Sequence, residues 1–209
     1  MTNVSERPGR CRCARVVLHA LIVAVSMAAL GACATENPSS VYVHPNADLS
    51  AFQRIAVLPL DNYTGDRFAG ERVREILGVE LLAQGVFEPA ESGEVNRVLR
   101  AQNISTMTTL GPEAIKKLGE ALNVQALLFG SVVEYSERRT GTFRSPQVSL
   151  ALRLVDVESG LVVWSVSDAR TGMALTTRLF GVGEETFTEA VRKLIRKLMR
   201  ELLELGGLA

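Results

Sequence analysis

The stretch Arg54-Ile55-Ala56-Val57-Leu58-Pro59-Leu60 is a nearly unbroken apolar run closed by turn chemistry, Asp61-Asn62-Tyr63-Thr64-Gly65. A strand without polar alternation needs cover on both faces, so this run predicts a buried strand in a sheet with packed neighbours. Pro59 belongs near its end, because proline cannot donate to a ladder. Helical spacing follows at 66–84, with Phe68, Val73, Ile76, Leu77, Val79 and Leu81 on or near the apolar side and Gly85 as the stop. Further helices are predicted at about 92–102, at 112–122 with Pro112 in the first turn, and at 184–205. Strand patterns occupy 86–90, 124–135, 148–157 and 161–166, and Glu158-Ser159-Gly160 joins the last two as a hairpin. The order β-α-β-α-α-β-β-β-α predicts an α/β fold, a mixed sheet with an antiparallel C-terminal meander and helices packed against it. Trp164, in an apolar strand, is expected in the core.

The three cysteines and two histidines of this 209-residue chain all precede residue 45. Arg7, Arg10, Arg12 and Arg15 form a basic leader, followed by an apolar stretch from Val16 to Leu30 that is short for a bilayer span. It ends in Leu30-Gly31-Ala32-Cys33, which resembles the lipobox of bacterial lipoproteins. That motif implies cleavage before Cys33 and acylation of its sulfur and new amino terminus, an anchor of several chains. Ala34 in place of aspartate implies the outer membrane, on its periplasmic face. Cys11 and Cys13 would leave with the leader, so neither a disulfide framework nor a thiol nucleophile remains. The expected organisation is a signal peptide at 1–32, a lipidated N-terminus with a flexible tether at 33–50, and a folded domain at 51–209. Residues 33–209 hold 19 basic and 22 acidic side chains, a net charge of −3 that offers no field for gripping nucleic acid.

No catalytic, cofactor or metal site is expected. The folded part has no histidine to serve a nucleophile, and zinc loses both of its favoured ligands. Asp61, Glu134, Asp156 and Glu158 are the carboxylates weighed as an acid–base pair, with Asp61 and Glu158 assigned instead to turns. The basic stripe Arg192, Lys193, Arg196, Lys197 and Arg200 on the last helix is expected to be a solvated face. The polar connection 136–147, read as a loop, carries Arg138, Arg139, Phe143 and Arg144, and these four are the expected partner contact.

Several segments together resemble a known family. They are the Ile55–Leu60 run with Asp61-Asn62-Tyr63-Thr64-Gly65, then Lys117-Leu118-Gly119 with Val124–Tyr135, and last Leu152–Gly160 running into Val163-Trp164-Ser165. Over roughly 52–205 the chain resembles the CsgG-type lipoproteins, the group of the curli secretion channel, whose relatives with a similar core include the synthase activator LpoB and the export lipoprotein PelC. The resemblance implies a periplasmic α/β domain on an outer-membrane lipid, often in ring-shaped homo-oligomers, with other envelope proteins as partners. Its function would be non-enzymatic assembly or accessory work in envelope biogenesis or secretion, or alternatively activation of a peptidoglycan synthase. The connection 136–147 is too short for the two membrane-spanning hairpins of the curli channel, each strand of which needs about 9–11 residues.

Overall fold

Arg54–Val57 forms the buried strand that its composition demands, and the sheet around it is mixed. The computed structural model describes residues 39–107, 109–140, 143–171 and 185–207. Among these are seven strands, β1 (Ser40–Val43), β2 (Arg54–Val57), β3 (Asp61–Asn62), β4 (Glu88–Pro89), β5 (Ala126–Thr140), β6 (Phe143–Asp156) and β7 (Val162–Thr171). Four α-helices accompany them, α1 (Ala69–Gln84), α2 (Ser92–Ala101), α3 (Pro112–Leu122) and α4 (Phe187–Leu205). The strand order is β1-β7-β6-β5-β2-β4, with β3 also on β5. β2 is parallel to β4 and β5, whereas β5, β6 and β7 form the expected antiparallel meander and β1 adds antiparallel to β7.

Period-two alternation sorts the strand residues between two cores. Ile55, Val57, Ala126 and Leu128 face α1 and α4, while Ala56, Leu58, Leu127 and Phe129 face α2 and α3. Along β6, Val148, Leu150, Leu152 and Leu154 all enter the first core. Trp164 is fully buried there, as expected. β3 continues the β2 edge along β5 after the interruption at Pro59, pairing Asp61 with Ser131 and Asn62 with Val132. The turn beyond it is organised by Asn62, whose Oδ1 accepts from the Thr64 backbone N–H at 3.0 Å and whose Nδ2 donates to the Asp66 carbonyl at 2.7 Å.

Three sequence expectations are corrected. First, the flexible tether expected at 33–50 ends early, because Ser40–Val43 completes the sheet edge on β7. Four residues with two half-buried valines gave too little alternation to mark a strand. Second, 136–140 and 143–147, expected as loop, are strand. β5 and β6 stay paired from Ser136↔Gln147 out to Thr140↔Phe143, because a two-stranded ribbon satisfies its backbone without apolar side chains. Third, α1 buries Val73, Leu77 and Leu81 as expected but not the whole apolar face drawn for it. Val79 and Phe68 are exposed, while Arg74 and Glu80 are buried.

Candidate functional site

The long β5–β6 hairpin divides at a bulge between Val132 and Glu134. Below it both strands belong to the packed sheet; above it β6 stays paired with β7 as far as Gln147, beyond which the two-stranded ribbon 137–140 and 143–146 continues the pair, and the extra residue Val133 is turned outward. Bulges re-aim a strand in this way. Tyr135 anchors the ribbon's base by stacking on Phe187 at the start of α4, with ring centroids 4.6 Å apart. Arg138, Arg139 and Arg144 are all exposed on the ribbon, so the structure brings three of the four expected contact residues together; nothing is described of the Phe143 side chain. Arg139 and Arg144 stand opposite one another on one rung, and Glu137 lies between them at 3.7 and 3.6 Å. Like charges placed directly across a rung destabilise a ribbon. Cys33, the expected lipid site, is outside the described residues.

The same end of the sheet carries exposed Tyr63 and Phe68 at the β3–α1 junction. The Arg67 guanidinium covers the Phe68 ring at 4.3 Å. Arg72 reaches Asp66 at 2.7 Å, and the Tyr135 hydroxyl, more than Asp66, holds its pKa above the ordinary value.

The opposite end holds an open cleft of about 820 Å³ between the turn after β1, α3 and the β6–β7 hairpin. Phe52, Val124, Leu161 and Val163 give it apolar surface; Asp48, Glu120, Asp156, Glu158, His44 and Lys116 supply the charge and polarity. These groups do not form a nucleophile–base pair. Ser159 Oγ donates to Asp156, and His44 Nδ1 accepts from the Asn46 backbone N–H at 3.2 Å. Asp156 also accepts from the Ser159 backbone N–H, which makes it a turn residue. Its lining sets four carboxylates, Asp48, Glu120, Asp156 and Glu158, against Lys116 and His44.

Buried ion pairs and hydrogen bonds that sequence reasoning missed hold this frame. Arg74 donates from Nε and Nη2 to the Val57 carbonyl at 3.0 and 2.8 Å, and from Nη1 to Asn96 at 2.8 Å. It thereby satisfies the β2 end and ties α1 to α2, and burial lowers its pKa. Glu80 of α1 receives Arg196 at 2.8 Å and Arg192 at 3.3 Å, and Asp168 of β7 receives Lys197 at 3.1 Å. Lys193 pairs with Glu185 at 2.8 Å. Four cations of the expected solvated stripe are therefore half-exposed partners of buried or half-buried acids, clamping α4 onto its neighbours. The one signal for the missed pair was a charge at helical spacing from Val73, Leu77 and Leu81, where Arg74 and Glu80 fall.

The family model described as peptidoglycan-synthase activator LpoB matches residues 33–169. Among solved structures, the chain is similar to the PelC dodecamer of Paraburkholderia phytofirmans, with 23% identity, a TM-score of 0.55, and coverage of 79% of this chain and 98% of that one. It is also similar to lipoprotein GNA1162 of Neisseria meningitidis, at 17% identity and a TM-score of 0.50, over 75% of this chain and 99% of that one. No curated protein matches the chain. The family model thus groups the chain with LpoB, and the likeness to the two solved structures is one of fold.

Proposed function

The chain belongs to the peptidoglycan-synthase activator LpoB family, and on that membership we propose that it is a non-enzymatic accessory lipoprotein that binds and stimulates a peptidoglycan synthase. The match over 33–169 carries the reading, since it takes in the sheet, both long hairpin strands and the cleft wall. It favours synthase activation over the broader expectation of a secretion component. The cleft supports binding rather than turnover, because its serine and histidine are committed to separate local hydrogen bonds.

In this proposal residues 1–32 are removed, Cys33 is acylated, and the domain faces the periplasm from the outer membrane. Confinement to a surface raises its effective concentration for partners held nearby. Self-association into a ring belongs to the same proposal, and the PelC structure that the fold resembles is a dodecamer. The deciding experiment adds the mature lipidated protein to a purified peptidoglycan synthase in detergent and follows glycan polymerisation. A saturable rise in synthase rate is expected. A physical complex with no change in rate, or no complex at all, would overturn the activator reading.

A further inference from the structure

The two ends of the domain differ in chemistry, and the chain enters β1 from one of them. β1 runs antiparallel to β7, with Ser40 on the rung Ser167–Ala151–Ser131. Its direction from Ser40 to Val43 leads toward the cleft, where His44 and Ala47 follow. The chain therefore arrives from the side of the arginine hairpin. Ser39 Oγ donates to Glu201 of α4 at 2.8 Å, which fixes the entry point on the domain.

Chain length then limits where a lipid surface can lie. From Cys33 to Ser39 there are six residue steps, which reach about 20 Å when fully extended. From the Ser40 rung to the end of β5 there are nine, from Ser131 to Thr140, or about 30 Å of strand. That distance exceeds the reach of the anchor, so the hairpin cannot stand upright on the surface and meets it tilted, arginine end down.

Charge selects the same end. The ribbon presents Arg138, Arg139 and Arg144, with Glu137 held between two of them, and the nearby β3–α1 junction adds exposed Tyr63 and Phe68. Arginine clusters attract anionic headgroups, and aromatic rings favour the membrane–water interface. The cleft end is acidic, with four carboxylates against Lys116 and His44, and an anionic surface repels it. Glu137 offsets one of the two charges on the Arg139–Arg144 rung, and Arg138 adds a third cation beside it.

Resting on the Cys33 anchor of the proposed function, we infer that the arginine-bearing part of the hairpin, Arg138, Arg139 and Arg144, is a docking surface for anionic lipid headgroups. The domain leans on these arginines, and the cleft end faces away from the membrane toward partners. The arginines expected from sequence to meet a protein meet lipid instead.

The test uses the mature lipidated protein in vesicles of phosphatidylethanolamine and phosphatidylglycerol that include a nitroxide-headgroup lipid. Thr140→Cys and Glu158→Cys variants, whose introduced thiol is free once Cys33 is acylated, each carry a fluorophore. The Thr140 label is expected to lose most of its fluorescence and the Glu158 label little. Adding Arg138→Gln, Arg139→Gln and Arg144→Gln together should restore the Thr140 signal while the protein still floats with the vesicles. Stronger quenching at Glu158, or none at either label in floating protein, overturns the orientation alone; the second result would leave the hairpin free for a protein. Quenching unchanged by the triple replacement overturns the arginine contact. Failure to float, with no acyl mass on Cys33, overturns the anchor and the orientation with it.

Discussion

Single residues decide how tightly β5 and β6 can approach. A Cβ on Gly130 would collide with the Ala151 carbonyl oxygen across the ladder, and the obstacle is backbone rather than a side chain that could swing away. Gly130→Ala should therefore destabilise the domain by about 1–3 kcal/mol, the usual cost of overpacking. For a domain of this size that is a fall of roughly 3–10 °C in thermal midpoint, measurable by circular dichroism. An unchanged midpoint would mean that the strands separate without penalty. Arg74 is the second such residue. Its guanidinium satisfies the Val57 carbonyl twice, so Arg74→Met leaves a buried acceptor unpaired and should cost about 1–3 kcal/mol in denaturant unfolding. Arg74→Lys keeps the charge but not the planar fork, and should fall between wild type and Arg74→Met.

At the scale of elements, α4 begins with a capping box. Thr186 accepts from the Glu189 backbone N–H, and the Glu189 carboxylate accepts from the Thr186 backbone N–H at 3.0 Å. That backbone bond, followed by the Thr186 hydroxyl, lowers the Glu189 pKa below its ordinary value of 4.5. A carboxylate with a depressed folded pKa stabilises the fold above its unfolded value, and the contribution disappears as pH falls through the folded value. The stability advantage of wild type over Glu189→Gln should thus be complete at neutral pH and shrink on acidification below about 4.5. A difference that grew in acid would contradict the cap. Elements with such local signals were legible in the sequence. Pro112 and Asn123 bracket α3, whose bounds fall at 112–122 as expected, and the meander follows from alternation in β6. The ribbon was not legible, because Ser136-Glu137-Arg138-Arg139-Thr140 has no apolar alternation and owes its form to partner strand hydrogen bonds. Nor was the α1–α4 clamp, since Glu80 and its two arginines are 112 and 116 residues apart. The arginine cluster was legible as composition only; its place at one end of the sheet is a property of topology.

For the whole molecule, the proposed anchor at one end would restrict how copies can assemble. A dihedral assembly points half of its subunits the opposite way along the main axis, which would carry their lipids and arginine tips off the membrane. Only cyclic symmetry, with the axis along the membrane normal, keeps every tip on one surface. Each interface must then be heterologous, one patch of a copy meeting a different patch of the next, and the ring closes only if the rotation per copy divides a full turn. The proposed ring should accordingly be a single layer, with all cleft ends on one face and all hairpins on the other. Native mass measurement in mild detergent gives the copy number. Electron microscopy with gold on a Thr140→Cys label should show the label on one face only. A two-layered ring labelled on both outer faces would contradict the shared orientation, and a strict monomer at high concentration in both detergent and nanodiscs would remove the ring. Because headgroup contact and ring closure order the same subunits in the same plane, each should strengthen the other. Arg138→Gln, Arg139→Gln and Arg144→Gln together are therefore expected to raise the concentration needed for ring formation on anionic bilayers, and to leave it unchanged on neutral ones.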